Sequence, residues 1–392
     1  MPQVNPRVLT WARETAGLSL EEAAQALQLG GVRKPGHEAL AAYERGDTAP
    51  SRPLLTRMAK QYRRPLLAFY LAQPPRRGDR GEDFRTLPAD REHESAPRLD
   101  ALVRDVHVRQ HLVKSILEDA EEAMPVPFVA SVTLDSKVQA VAKDICNALG
   151  FDLREFRRRK TVEDAFAYLR ERTEKTGVFV LLIGNLGTHH TAFSTDVFRG
   201  FALADKIAPF IVINDQDAKS AWSFTLLHEL THILLGTTGI SGSDFSKRIE
   251  QFCNDVASEI LLPNDELGEL NGTWQDISVG ARLITDFASA RRISRPLVAY
   301  RLFKAGRITA DIWRAYVEEF RKAWEQEKAA KKKAGQNEEG GPNYYVVRRH
   351  KVGSALVEIV RRAMAEGFVT PTKAGRVLGV RPNNVEALVG AQ

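Results

Sequence analysis

Apolar positions recur at helical spacing through the first seventy residues, in short runs broken by glycine. "NPRVLTWARETAG" turns Val8, Leu9 and Ala12 to one side, with Asn5 as N-cap and Pro6 at the first helical position, and stops at Gly17. "LSLEEAAQALQLGG" repeats the scheme with the capping-box pair Ser19 and Glu22 and closes on Gly30. "GHEALAAYERG" predicts a third short helix ending at Gly46, and "SRPLLTRMAKQY" and "RPLLAFYLA" predict two more. A Pro-, Gly- and charge-rich stretch without periodicity follows, then a helix carrying Leu99, Leu102, Val106, Leu112, Val113, Ile116 and Leu117 on one face.

Beyond residue 135 the period changes more than once. "SKVQAVAKDICNALG" and "TVEDAFAYLRERTEKTG" predict helices, "VFVLLIG" predicts a strand, and "FRGFALAD" and "APFIVIN", joined by "KI", predict a hairpin. The helix "AKSAWSFTLLHELTHILLG" comes next, with Ala221, Phe224, Leu227, Leu230, Ile233 and Leu234 on a broad apolar face, Asp217 as candidate N-cap and Gly236 as its stop. "RIEQFCNDVASEILLP" predicts a further helix ending at Pro263, and the rest of the chain reads as helices interrupted by the charged stretch "EKAAKKKAGQNEEGGPN". "VTPTKAGRVLGVRPNNVEAL" near the end has a helix-turn-helix rhythm within what reads as a docked helical cap.

This order predicts an α+β protein: an N-terminal helix-turn-helix bundle over 1–75, a linker over 76–98, a central core with a small β-sheet over 99–270, a helical extension over 271–328, a linker over 329–342 and a helical C-terminal domain over 343–392. Charge adds one feature. Residues 1–80 hold thirteen Lys and Arg against seven Asp and Glu, so this segment supplies the whole net charge of +6 and suits a polyanion partner. No run approaches the ~20 apolar residues that span a bilayer, and no secretory leader is visible, which places the chain in the cytoplasm without a membrane partner. Cys146 and Cys253 match neither a disulfide framework nor a metal knuckle and read as buried apolar residues.

The chemistry concentrates in "HELTH", residues 228 to 232. Positions four apart on a helix differ by roughly 40° around the axis, so His228 and His232 reach one ion from the same face, while Glu229 is turned aside by about 100° toward the water that fills the open position. Neutral imidazoles bind Zn2+ without cancelling its charge, and the carboxylate acts as general base. The following helix offers Glu250 as third ligand and Asn254, four residues on, as the amide that steadies a ligand histidine. Glu259 lies about 180° round that helix from Glu250 and is the alternative ligand. His107 and His111 share the i, i+4 spacing without a glutamate between them and read as solvated; His189 and His190 read as solvated loop residues, and His350 has no visible partner.

Two resemblances bear on function. "LSLEEAAQAL…HEALAAYERGDTAPSRPLLTRMAKQY" resembles the XRE, lambda-repressor-like helix-turn-helix family, whose recognition helix runs into an exit of the form Glu44-Arg45-Gly46-Asp47-Thr48-Ala49-Pro50; "LGGVRKPGHEA" makes the preceding turn longer than the family's. That resemblance implies double-stranded DNA as a partner, with His37 and Arg45 as candidate contacts. "FTLLHELTHILLG" and "IEQFCNDVASEILLP" resemble the ImmA/IrrE family of zinc metallopeptidases over about residues 160–265. This implies a zincin-like metallopeptidase core over 99–270, with His228, His232 and Glu250 as zinc ligands and Glu229 as base, and an intracellular endopeptidase that regulates transcription, including stress responses, by cleaving a repressor or antitoxin-type protein. The expected substrate adds as a strand to the exposed edge of the hairpin, and a homodimer is compatible with the reading. The alternative is a DNA-binding regulator or antitoxin component whose peptidase-like fold serves only as a sensor.

Overall fold

The computed structural model describes residues 3–31, 35–75, 92–188, 191–237, 244–335 and 343–390. The chain divides into two compact units, Met1–Val106 and His107–Gln392. Among the described residues the helices are α1 (Pro6–Glu14), α2 (Leu20–Ala26), α3 (Gly36–Arg45), α4 (Arg52–Gln61), α5 (Glu92–Asp119), α6 (Val138–Leu149), α7 (Leu153–Arg157), α8 (Val162–Glu174), α9 (Trp222–Leu235), α10 (Asp244–Leu261), α11 (Asn264–Leu267), α12 (Ile277–Arg291), α13 (Arg295–Lys304), α14 (Ala310–Gly335), α15 (Tyr344–Val352), α16 (Ser354–Ala365), α17 (Pro371–Leu378) and α18 (Val385–Gly390). The strands are β1 (Phe179–Leu182), β2 (Gly200–Leu203) and β3 (Phe210–Ile213), so the protein is predominantly helical with a small sheet, an α+β arrangement. No described helix is long and apolar enough to cross a membrane.

In the first unit the caps lie where the sequence puts them. The Asn5 side chain accepts from Arg7 N, and Ser19 and Glu22 close a reciprocal capping box. Val8, Leu9, Ala12, Leu40 and Met58 meet in its core. A buried ion pair adds to this packing: Arg13 Nε lies 2.7 Å from Glu44 Oε1, NH2 lies 2.9 Å from Oε2, and NH1 donates to the Leu18 carbonyl at 2.9 Å. The stretch from α2 to α3 includes residues 32–34, outside the described residues; so does the predicted linker as far as residue 91, after which α5 is helical from Glu92.

The second unit is built on the sheet order β1-β3-β2, with β1 parallel and β2 antiparallel to β3, so the predicted hairpin forms and its second strand occupies the centre. The register pairs Phe179 with Phe210 on one side and Gly200 with Ile213 on the other. All four residues of β1 and of β3 are buried, as expected of strands covered on both faces. α9 packs on β2 and β3, and α10 lies against α9 and α6, which sets the two candidate metal helices side by side with α9 against the sheet. Their shared core includes Leu226, Leu230, Ile233, Val256 and Ile260. α14 runs on to Gly335, through part of the charged stretch, because Glu, Lys and Ala are good helix formers even without an apolar face.

The turn end of the hairpin is tied to α5. Phe201, Ala202 and Leu203 are buried, and Gln110 of α5 donates to the carbonyls of Leu203 at 3.0 Å and Ala208 at 2.9 Å.

Candidate metal centre

α9 begins after a short 3-10 turn, Lys219–Ala221, with Ala221 at its N-cap and no side-chain cap. Asp217 is not that cap: its Oδ1 accepts from Ala218 N at 2.7 Å, one turn too early. The other end is held more firmly. Gly236 closes the helix at φ 67°, in the left-handed region that suits glycine, and a Cβ there would come within 2.6 Å of Ala130 Cβ. The Ile233 and Leu234 carbonyls accept from Ala130 N and Val132 N, both at 3.1 Å, and the His232 carbonyl accepts from Thr237 N at 3.1 Å. These bonds satisfy carbonyls that a helix end leaves open and fix the turn that carries His232.

His228, His232 and Glu250 converge. The two Nε2 atoms are 3.2 Å apart, His228 Nε2 lies 3.2 Å from Glu250 Oε2, and His232 Nε2 lies 3.4 Å from Glu250 Oε1. A tetrahedral ion with ligand bonds of roughly 2.0–2.1 Å needs ligand atoms about 3.3–3.4 Å apart, so this triangle fits a zinc-sized cation. The far side of each ring sets its tautomer. Asn254 Oδ1 lies 3.0 Å from His228 Nδ1 and accepts its hydrogen. Thr237 Oγ1 uses its own hydrogen on the His232 carbonyl at 3.3 Å and so accepts from His232 Nδ1, also at 3.3 Å. Both Nε2 lone pairs then face the triangle, as metal ligands must.

Electrostatics at this point favour a cation. Burial would push the His232 imidazole down, but Cys253, Glu250 and Glu229 outweigh it and raise it well above its ordinary value. Burial would likewise raise Glu250, yet the hydrogen bonds and charges of His228 and His232 hold its carboxyl far below the usual carboxylate range.

Glu229 is buried on the same helix, with its side chain over the start of β2: a Cβ on Gly200 would lie 2.9 Å from Glu229 Oε1. Glu259, the alternative ligand, points elsewhere. It bonds Arg301 NH2 at 2.6 Å, and Arg301 also reaches Asn264 Oδ1 at 2.8 Å. Cys253 is buried as expected, but it also lies close enough to His232 to influence that imidazole, a proximity that its small-residue position in the sequence gave no sign of. Thr237 and Gly200 were equally silent, since each acts through a tertiary approach.

The remaining sequence candidates stand apart from this triangle or lie outside the described residues. His37 and Arg45 are exposed on α3, where Arg45 pairs with Asp47, Nε at 2.9 Å and NH2 at 2.7 Å. His111 is exposed, whereas His107 is half-buried and its imidazole is pulled below its ordinary value, by burial first and then by His111. His189 and His190 lie outside the described residues. His350 does have partners: its carbonyl accepts from Arg170, and its ring centroid is 6.5 Å from that of Trp222.

Residues 175–303 match the Peptidase M78 family model, described as the IrrE N-terminal-like domain. The matched span holds the whole sheet, α9, α10 and the residues of the triangle, and it supports a peptidase-like domain of the kind that the ImmA/IrrE resemblance implies. No curated protein and no solved structure matches the chain significantly.

Proposed function

We propose that the protein is a zinc-dependent endopeptidase, with His228, His232 and Glu250 as zinc ligands, Asn254 orienting His228, and Glu229 as general base. The observation that carries this reading is the triangle of ligand atoms, 3.2–3.4 Å on a side, whose two imidazoles are turned by Asn254 and Thr237 to present their lone pairs. Two histidines and one carboxylate leave a fourth position open, the pattern of catalytic rather than structural sites. Zinc held there supplies a Lewis acid and lowers the pKa of water. Glu229 takes the proton of the attacking water on its carboxylate and delivers it to the leaving nitrogen of the scissile peptide.

The substrate in this proposal is a repressor or antitoxin-type protein inside the cell, cut at an extended segment that adds as a strand to the edge of the hairpin. The N-terminal unit brings the peptidase to regulatory DNA or to a DNA-bound partner; the confinement of the net positive charge to residues 1–80 supports it, and His37 and Arg45 are the contacts proposed. A test compares new protein N-termini in cells making the wild type or Glu229→Gln, which keeps the ligands and removes the base. Termini that appear only with the wild type support cleavage and identify the substrate. If the two sets coincide under both rest and stress, the proposal fails, and salt-sensitive DNA binding by a zinc-loaded chain then marks the protein as a metal-sensing regulator.

A further inference from the structure

We infer that Gly200 is a positioning residue for Glu229: the missing side chain leaves the space in which the general base rests. This inference builds on the peptidase reading above. β2 crosses α9 at the face bearing Thr225 and Glu229, and a Cβ at residue 200 would lie 2.6 Å from Thr225 Cγ2, 2.9 Å from Glu229 Oε1 and 3.0 Å from Glu229 Cγ. Gly200 is not among the residues of positive φ, so its backbone would accept any side chain and only space forbids one.

Neither element has room to withdraw. The strand is pinned by the pairing of Gly200 with Ile213 and by Asn214, whose N–H donates to the Arg199 carbonyl at 2.8 Å and whose Nδ2 donates to the Phe198 carbonyl at 2.9 Å. Asn214 is itself fully buried. The helix is held at its far end by Ala130 and Val132. Thr225 is buried and branched at Cβ, which leaves it few rotamers. What gives way is the end of the longest and softest side chain in the group, the Glu229 carboxylate. A methyl group at 200 therefore disturbs the base before it disturbs the fold or the metal ligands, none of which is among the nearest atoms to that methyl.

The experiment uses the full chain as wild type, Gly200→Ala and Gly200→Ala/Thr225→Ser, the last relieving the closest contact. Metal-free crystal structures report the Glu229 side chain directly. Zinc content is measured on the loaded proteins, and turnover on a peptide taken from the first sequence that the wild type cuts in a proteome-derived peptide library. Gly200→Ala is expected to shift the Glu229 carboxylate, to bind zinc as the wild type does, and to lose roughly 100-fold in kcat with KM little changed. The acid limb of its kcat profile moves, as it must when the base changes surroundings, and Thr225→Ser restores part of the rate. The inference is overturned if Glu229 stays in place in Gly200→Ala with kcat unchanged, or if zinc and folding are lost along with activity and Thr225→Ser restores nothing. A wild type that binds zinc and cuts no peptide sinks the peptidase reading alone; the crystal structures still decide whether Gly200 sets the position of Glu229.

Discussion

Replacing Glu174 by Gln tests how the C-terminal helices are fastened to the peptidase-like core. Glu174 and Arg170 form a pair on α8 whose side chains are only 4% and 7% exposed, with Arg170 Nε 3.0 Å from Glu174 Oε1. The rest of the Arg170 guanidinium binds main-chain carbonyls: Val180 on β1, His350 on α15 and, at 3.4 Å, Lys351. Glu174 Oε2 accepts from Ser354 N at 3.1 Å, Ser354 Oγ at 2.7 Å and Ala355 N at 3.2 Å, so it caps α16, which has no side-chain cap of its own. A glutamine keeps the shape but places an NH2 against either Arg170 or the α16 amides, and donors face donors both ways. Removing one charge of a buried pair typically costs about 3–5 kcal/mol. At roughly 2–4 °C per kcal/mol for units of this size, melting falls by about 6–20 °C. Calorimetry on the full chain measures this, and trypsin reports where the loosening occurs, since Arg348, Arg349 and Lys351 of α15 become cleavable earlier. Zinc content is expected to stay at the wild-type level, because the proposed ligands sit on α9 and α10. An unchanged melt with an unchanged tryptic pattern refutes the argument, as would loss of zinc without loss of stability.

Four further outcomes are expected. Asn254→Ala weakens zinc binding about 10- to 100-fold in a chelator competition while leaving the melt of the metal-free chain nearly unchanged. Glu250→Gln loses stoichiometric zinc, whereas Glu259→Gln keeps it and lowers the melting temperature, because Arg301, with a side chain 6% exposed, loses the carboxylate 2.6 Å away. Asp217→Asn stabilises the chain at neutral pH: burial raises the Asp217 carboxyl in the fold despite Arg199, so the ionised form is a liability above the folded value. The unfolded group titrates near 3.9, so the gain shrinks as pH falls toward that value, and melts at pH 7 and pH 4 give the comparison. Cys146, whose thiol burial pushes up to about 11, and Cys253, raised by burial first, react slowly with iodoacetamide at pH 8 until the chain unfolds, as mass spectrometry of timed quenches will read out.

Much of this centre is legible in the sequence because it is written in helical periods. The spacing of His228 and His232, and of Glu250 and Asn254, already assigns each pair to one face of a helix, and the half-turn between Glu250 and Glu259 already divides their duties. The strand and hairpin likewise announce themselves through Val, Ile and Phe between turn residues, although the sheet order β1-β3-β2 does not, since nothing in a β-rich run says which neighbour it will pair with. Asp217 misleads for a related reason: a good capping side chain lies close before the helix, but the intervening 3-10 turn consumes it.

What stays hidden is whatever depends on two elements approaching each other. Gln110, ninety-three residues before Leu203, ties the turn end of the hairpin to α5, and no local pattern links the two. The same holds for Ala130 at the end of α9, for Thr237 behind His232 and for Gly200 beneath Glu229. These contacts share one property: each constrains a candidate chemical group without touching the metal position. Ligand spacing written along α9 and α10 therefore makes a metal site possible, while its surroundings decide whether that site can work as a peptidase. On the peptidase reading proposed above, a chain that kept HELTH and Glu250 but placed a larger residue at 200 would keep its proposed metal ligands and, by the geometry of Thr225 and Glu229, displace the proposed base.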